Sequence, residues 1–126
     1  MNHVIAIAIG GAAGSVLRYW MSTAVYNLLD RAFPYGTLAV NVLGCLLMGV
    51  LFVVFAGRGT GDVLRAGILI GVLGGFTTFS AFSMETYTLI EEGALLKALL
   101  NMAASLVLCI GAIWAGIVIA RHAMAQ

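Results

Sequence analysis

Charge is what this sequence has least of. Of 126 residues, six are Lys or Arg and five are Asp or Glu, 9% together, against roughly 25% in a soluble globular domain. A net charge of +1 leaves no basic patch on which nucleic acid could settle, so no nucleic-acid partner is expected. Proline is reduced to Pro34 alone. The two cysteines, Cys45 and Cys109, are too few for a disulfide framework. They fall in apolar runs far apart in the chain and read as small packing residues. No nucleophile–base pair, phosphate-binding loop or metal-ligand cluster is present, so enzymatic activity is not expected. The start, Met-Asn-His-Val, lacks the Lys/Arg of a signal peptide, and the first apolar run reads as a retained span.

What is present is apolar length. The hydrophobic fraction is 63% and the mean hydropathy +1.11, the composition of an integral, multi-pass membrane protein in contact with lipid. Residues 1–126 form a single membrane domain, all-α, with spans at about 4–26, 35–56, 63–90 and 94–120. Each is long enough for a hydrocarbon core of about 30 Å. Pro34 suits the start of the second span, and Asp62 is expected to cap the third. Gly10 and Gly14, and likewise Gly67, Gly71 and Gly75, recur at four-residue spacing, which lets backbones approach closely in lipid.

The stretch from Gly71 to Glu85 stands out within the third span. It concentrates glycines, hydroxyls, Phe76, Phe79, Phe82 and a carboxylate where a lipid-crossing helix needs only Leu, Ile, Val and Ala. Gly74 and Gly75 each weaken helix by roughly 1 kcal/mol relative to Ala, and Thr77-Thr78 add β-branching and competing hydroxyls. The third helix is therefore expected to break near its middle, between Gly74 and Thr77. Irregular backbone at that depth is tolerated only where protein buries it or where it lines a cavity.

Two stripes of polar residues accompany the break. Thr37 and Asn41 share a face of the second span, and Lys97, Asn101, Ser105 and Cys109 recur every four residues in the fourth. They are either hydrogen-bonding glue between helices or the lining of a hydrophilic path. Phe79 and Phe82 share a helix face, as core filler or with electropositive ring edges turned to an anion. Glu85 is either an ion-coupling residue or a carboxylate satisfied near the interface. Cations divide three against three, Arg58, Arg65 and Arg121 on one side and Arg18, Arg31 and Lys97 on the other. That balance gives no preferred orientation and is compatible with insertion both ways.

With these residues in view, the chain resembles the Fluc (CrcB) family of small bacterial fluoride channels. The likeness rests on Gly10-Gly11-Ala12-Ala13-Gly14 followed by Arg18-Tyr19-Trp20, on Pro34 to Asn41, and on Gly74 to Glu85. It implies a dual-topology, antiparallel homodimer in the bacterial inner (plasma) membrane that passively releases fluoride from the cytoplasm. By the same resemblance Asn41 is the pore amide and Phe79 and Phe82 line the fluoride path. Thr37, Ser80, Ser105, Arg18 and Glu85 belong to that path or its approaches. The carbonyls of Gly74 and Thr77 hold a structural Na+ on the dimer axis; the alternative there is a kink bridged by neighbouring side chains. Asn101 and Cys109 stand where relatives often have tyrosine and serine. The rival class is a proton-coupled small four-span exporter, for which Glu85 is the ionisable candidate.

Overall fold

The computed structural model describes residues 2–126 and is helical throughout. Helix α1 (Asn2–Leu28) turns through a polar loop, in which Asp30 Oδ1 accepts from the Ala32 N–H at 2.8 Å, into α2 (Tyr35–Gly57). Pro34 stands just before α2, where its missing N–H costs nothing. The third stretch starts with α3 (Asp62–Ala66), passes through a π-helical segment (Gly67–Val72) and continues as α4 (Leu73–Phe76). Thr77 and Thr78 are extended (φ −78°, ψ 156° and φ −150°, ψ 122°), and α5 (Phe79–Glu91) follows. Gly93, at φ 76°, makes the turn into α6 (Leu95–Met124) in a conformation that suits glycine. Four stretches, Asn2–Leu28, Tyr35–Gly57, Asp62–Glu91 and Leu95–Met124, are long and apolar enough to cross a membrane.

One local expectation is corrected and a second is narrowed. Gly61, not Asp62, occupies the cap of α3; Asp62 lies in the first turn, where its charge still opposes the positive helix end. The glycine pair Gly74-Gly75 stays helical, and the departure from helix falls at Thr77 and Thr78. Glycine there serves proximity: a Cβ on Gly75 would stand 2.6 Å from the carbonyl oxygen of Gly11. The threonines, by contrast, carry hydroxyls that replace helical partners. Thr77 sends both its N–H (3.0 Å) and its Oγ1 (2.9 Å) to the Leu73 carbonyl, while Thr78 Oγ1 caps α5 by accepting from the Ala81 N–H at 3.1 Å.

Two parallel pairs build the bundle. In one, α1 lies along the π-helical segment and α4. A Cβ on Gly10 would sit 3.0 Å from the Val72 nitrogen, and one on Gly14 would sit 2.9 Å from that of Phe76. In the other, α2 runs beside α6, Gly49 against Ile113 and Ile117 and Gly57 against Met124. Glycine-mediated backbone contact of this kind replaces the hydrophobic effect that lipid does not supply. Between the pairs α2 runs antiparallel to the stretch from Thr77 through α5, Gly44 against Thr77 and Thr37 against Glu85. Trp20, Leu106 and Trp114 point outward at 63%, 61% and 70% exposure, an apolar exterior suited to lipid or to another protein surface.

Candidate functional site

The site begins with one amide. Asn41, a turn and a half into α2, donates from Nδ2 to the Thr78 carbonyl at 2.9 Å and accepts from the Thr78 N–H through Oδ1 at 2.8 Å. In an uninterrupted helix the Thr78 N–H would bond the carbonyl of Gly74. The side chain of Asn41 takes that place, which holds Thr78 extended and leaves the Gly74 carbonyl without its helical donor. Gly74 itself is exposed, and a Cβ there would meet nothing within 4 Å.

Two cavities meet at Thr78. The first, a groove of about 300 Å³, is lined by Asn41, Thr77, Thr78, Phe79, Phe82 and Ser105, and also by Cys45 and Cys109. The rings of Phe79 and Phe82 are 5.4 Å apart and tilted by 45°, and Phe79 is 77% exposed, so that ring is not core filler within this chain. The second cavity, about 480 Å³, is lined by Arg18, Arg31, Tyr26, Thr37, Thr78 and Glu85. Thr37 is buried and donates from Oγ1 to Glu85 Oε1 at 2.7 Å, whereas Oε2 is buried and has no partner among the described residues. Glu85 is thus half satisfied.

The residues singled out from the sequence therefore divide. Asn41, Phe79, Phe82, Ser105 and Thr77 come together in the groove, and Arg18, Thr37 and Glu85 in the polar cavity. Ser80 lines neither; it is exposed, with Oγ 3.2 Å from Thr78 Oγ1. The α6 stripe is split as well. Lys97 opens beside Arg31 and Glu92 at the end of the bundle, while Asn101 is buried and donates to Thr86 Oγ1 at 2.9 Å, tying α6 to α5.

Thr78 is the residue that sequence reasoning missed. The polar, β-branched pair Thr77-Thr78 was its only local signal, and the choice between the two depends on what α2 presents. Cys45 and Cys109, which read from the sequence as small packing residues far apart in the chain, line the same groove.

A family model described as CrcB-like protein, Camphor Resistance (CrcB), matches residues 5–117. A protein of Methylococcus capsulatus named fluoride-specific ion channel FluC is 52% identical over 120 residues, 94% of this chain and 53% of its own length. Proteins of the same name from Geobacter sulfurreducens and Magnetococcus marinus are 51% and 50% identical, covering 97% and 91% of this chain and 99% and 94% of their own. The chain thus spans about half of the first relative and nearly all of the other two.

Proposed function

The chain belongs to the CrcB-like family, and on that premise we propose that it is a fluoride-selective ion channel. It gives fluoride a passive way out of the cytoplasm and so confers fluoride resistance; it is not an enzyme. The observation that carries the reading on the molecule itself is the meeting of Asn41, Phe79, Phe82 and Ser105 in one groove. Fluoride is small and strongly hydrated, so a narrow path has to replace its water with donors. Asn41 spends one N–H on Thr78 and keeps a second, since an amide nitrogen carries two. The Ser105 hydroxyl adds a donor, and the ring edges of Phe79 and Phe82 add weaker positive contacts. Arg18 and Arg31 in the polar cavity concentrate anions at the approach, with Thr37 and Glu85 behind them.

The groove is open on one side, and Phe79 on its rim is exposed. A second copy inserted in the opposite orientation closes it, giving an antiparallel, dual-topology homodimer in the bacterial inner membrane. The third span crosses as a helix broken at Thr77-Thr78. The donor set at that break fits Na+: a hard cation takes oxygen ligands, and the carbonyl of Gly74, an exposed residue, has lost its helical donor. The carbonyls of Gly74 and Thr77 from each copy would hold the ion, which supplies positive charge that ties the two breaks together. Removing sodium over a prolonged dialysis should then weaken dimerisation or conduction, and indifference of both would remove the site.

Fluoride efflux from liposomes carrying the purified protein, with chloride as control, tests the function directly; equal efflux of both anions, or none, would overturn it. The second reading, a proton-coupled exporter, rests on the buried, unpartnered Oε2 of Glu85. It requires flux to follow an imposed pH gradient at fixed fluoride gradient.

A further inference from the structure

The groove contains a chemistry that fluoride does not use. Cys45 on α2 and Cys109 on α6 are free thiols, both half-buried and both lining this groove, and each lies one turn before the Gly49–Ile113 contact of the two parallel helices. Met48, one turn beyond Cys45, lines the same groove and adds a third sulfur. We propose that Cys45 and Cys109 together form a two-thiolate site for a soft, two-coordinate divalent cation of the mercuric type, bridging α2 to α6.

The frame that holds the two sulfurs is stiff. The helices run parallel and touch through Gly49 and Gly116, with backbone atoms of Ile113 and Val50 in the contact, so the thiols are brought together by the fold and not by a flexible loop. Thiolate and thioether ligands select soft metals. Among the described residues no group of three or more His, Cys, Asp or Glu side chains converges, which leaves zinc short of the four ligands its structural sites require. Two-coordinate capture needs only the pair.

Charge selects further. Capture from mercuric chloride forms two mercury–sulfur bonds, breaks two mercury–chloride bonds and releases two protons and two chloride ions, so the product carries no net charge in a groove also lined by Leu106 and Ile110. A monovalent soft ion on two thiolates would leave one buried negative charge, which is costly away from water. Mercuric chloride is itself a neutral molecule and reaches the groove through lipid, so access does not depend on an aqueous path.

The full-length protein, purified and reduced, is titrated with mercuric chloride while free thiols and the sulfur-to-mercury ultraviolet band are followed. One mercury per chain should consume both thiols. C45S and C109S should each weaken binding by about 10²–10⁴-fold, the gain expected when a second ligand is already held in place. Helical circular dichroism and size-exclusion profiles of the variants establish that they are folded. An end point of two mercury ions per chain, or single variants that bind as tightly as the parent, would overturn the site.

A flux measurement separates this inference from the channel reading, on which only the site's effect on fluoride depends. Mercury should block fluoride efflux of the parent and leave the C45S/C109S double variant at its own untreated rate. One-to-one binding without block upholds the metal site and removes the ion path from this groove.

Discussion

The two cavities that meet at Thr78 differ in almost everything but that residue. Along α2, Thr37 and Val40 line the polar cavity, while Asn41, Gly44, Cys45 and Met48 line the groove. The polar cavity takes its remaining wall from α1, with Arg18 and Tyr26, and holds Glu85. The groove takes its wall from α6 and has aromatic rings, thiols and one serine, with no charged residue. Under the proposed function, an anion would be drawn in where full charges stand and stripped of water where only weak neutral donors remain. Attraction and selection would then fall to different helices, with the Asn41–Thr78 clamp between them.

Breaking the clamp should therefore have the largest effect. Asn41→Ala removes both bonds to the Thr78 backbone and the spare donor. With each donor to an ion worth roughly 1.5–3 kcal/mol, fluoride flux per folded protein should fall by one to two decades. Liposome efflux normalised to folded protein measures it, and parental flux in this variant would dissolve the distinction between the cavities.

Altering the groove alone comes next. Phe79→Ile and Phe82→Ile stay apolar but lose the ring quadrupole, a contribution of about 0.5–1.5 kcal/mol. Flux in each should drop by up to about tenfold with the fold intact. If the rings only fill space, stability falls and flux per folded protein does not.

Thr78→Ala asks whether the clamp needs the side chain or only the backbone it grips. Asn41 bonds to the Thr78 main chain, so its hold survives; what is lost is the cap on the Ala81 N–H. Thermal unfolding should show a loss of about 1 kcal/mol, and flux should stay close to the parent. A collapse of flux like that of Asn41→Ala would assign the clamp's work to the hydroxyl.

The smallest change is expected in the polar cavity. Glu85→Gln retains an acceptor for the Thr37 hydroxyl at the same position, so most fluoride flux should persist. Loss of flux, together with a dependence on the pH gradient, would move ion coupling into this cavity and favour the exporter.

Much of this architecture was legible because the controlling pattern is local. Scarcity of charge and the length of apolar runs mark the four spans, since lipid demands both along each helix independently of its neighbours. The glycine spacings at Gly10/Gly14 and Gly67/Gly71/Gly75 mark backbone contact, because a ridge without side chains is a property of one helix face. Phe79 and Phe82 sit three residues apart and had to share a face of any helix they occupy.

Tertiary structure alone decided the pairings. Asn41 finds Thr78 across 37 residues and Thr37 finds Glu85 across 48; Cys45 and Cys109 reach one groove although each sits in an ordinary apolar run. A helix's own periodicity states which residues share its face. It does not state how far that helix is rotated or slid against the next. Those two quantities are set where Gly10 and Gly14 admit the backbone of Gly67 to Phe76, and where Gly49 and Gly116 lock α2 to α6. Once the glycines fix them, Asn41 stands level with Thr78, and Cys45 and Cys109 line one groove.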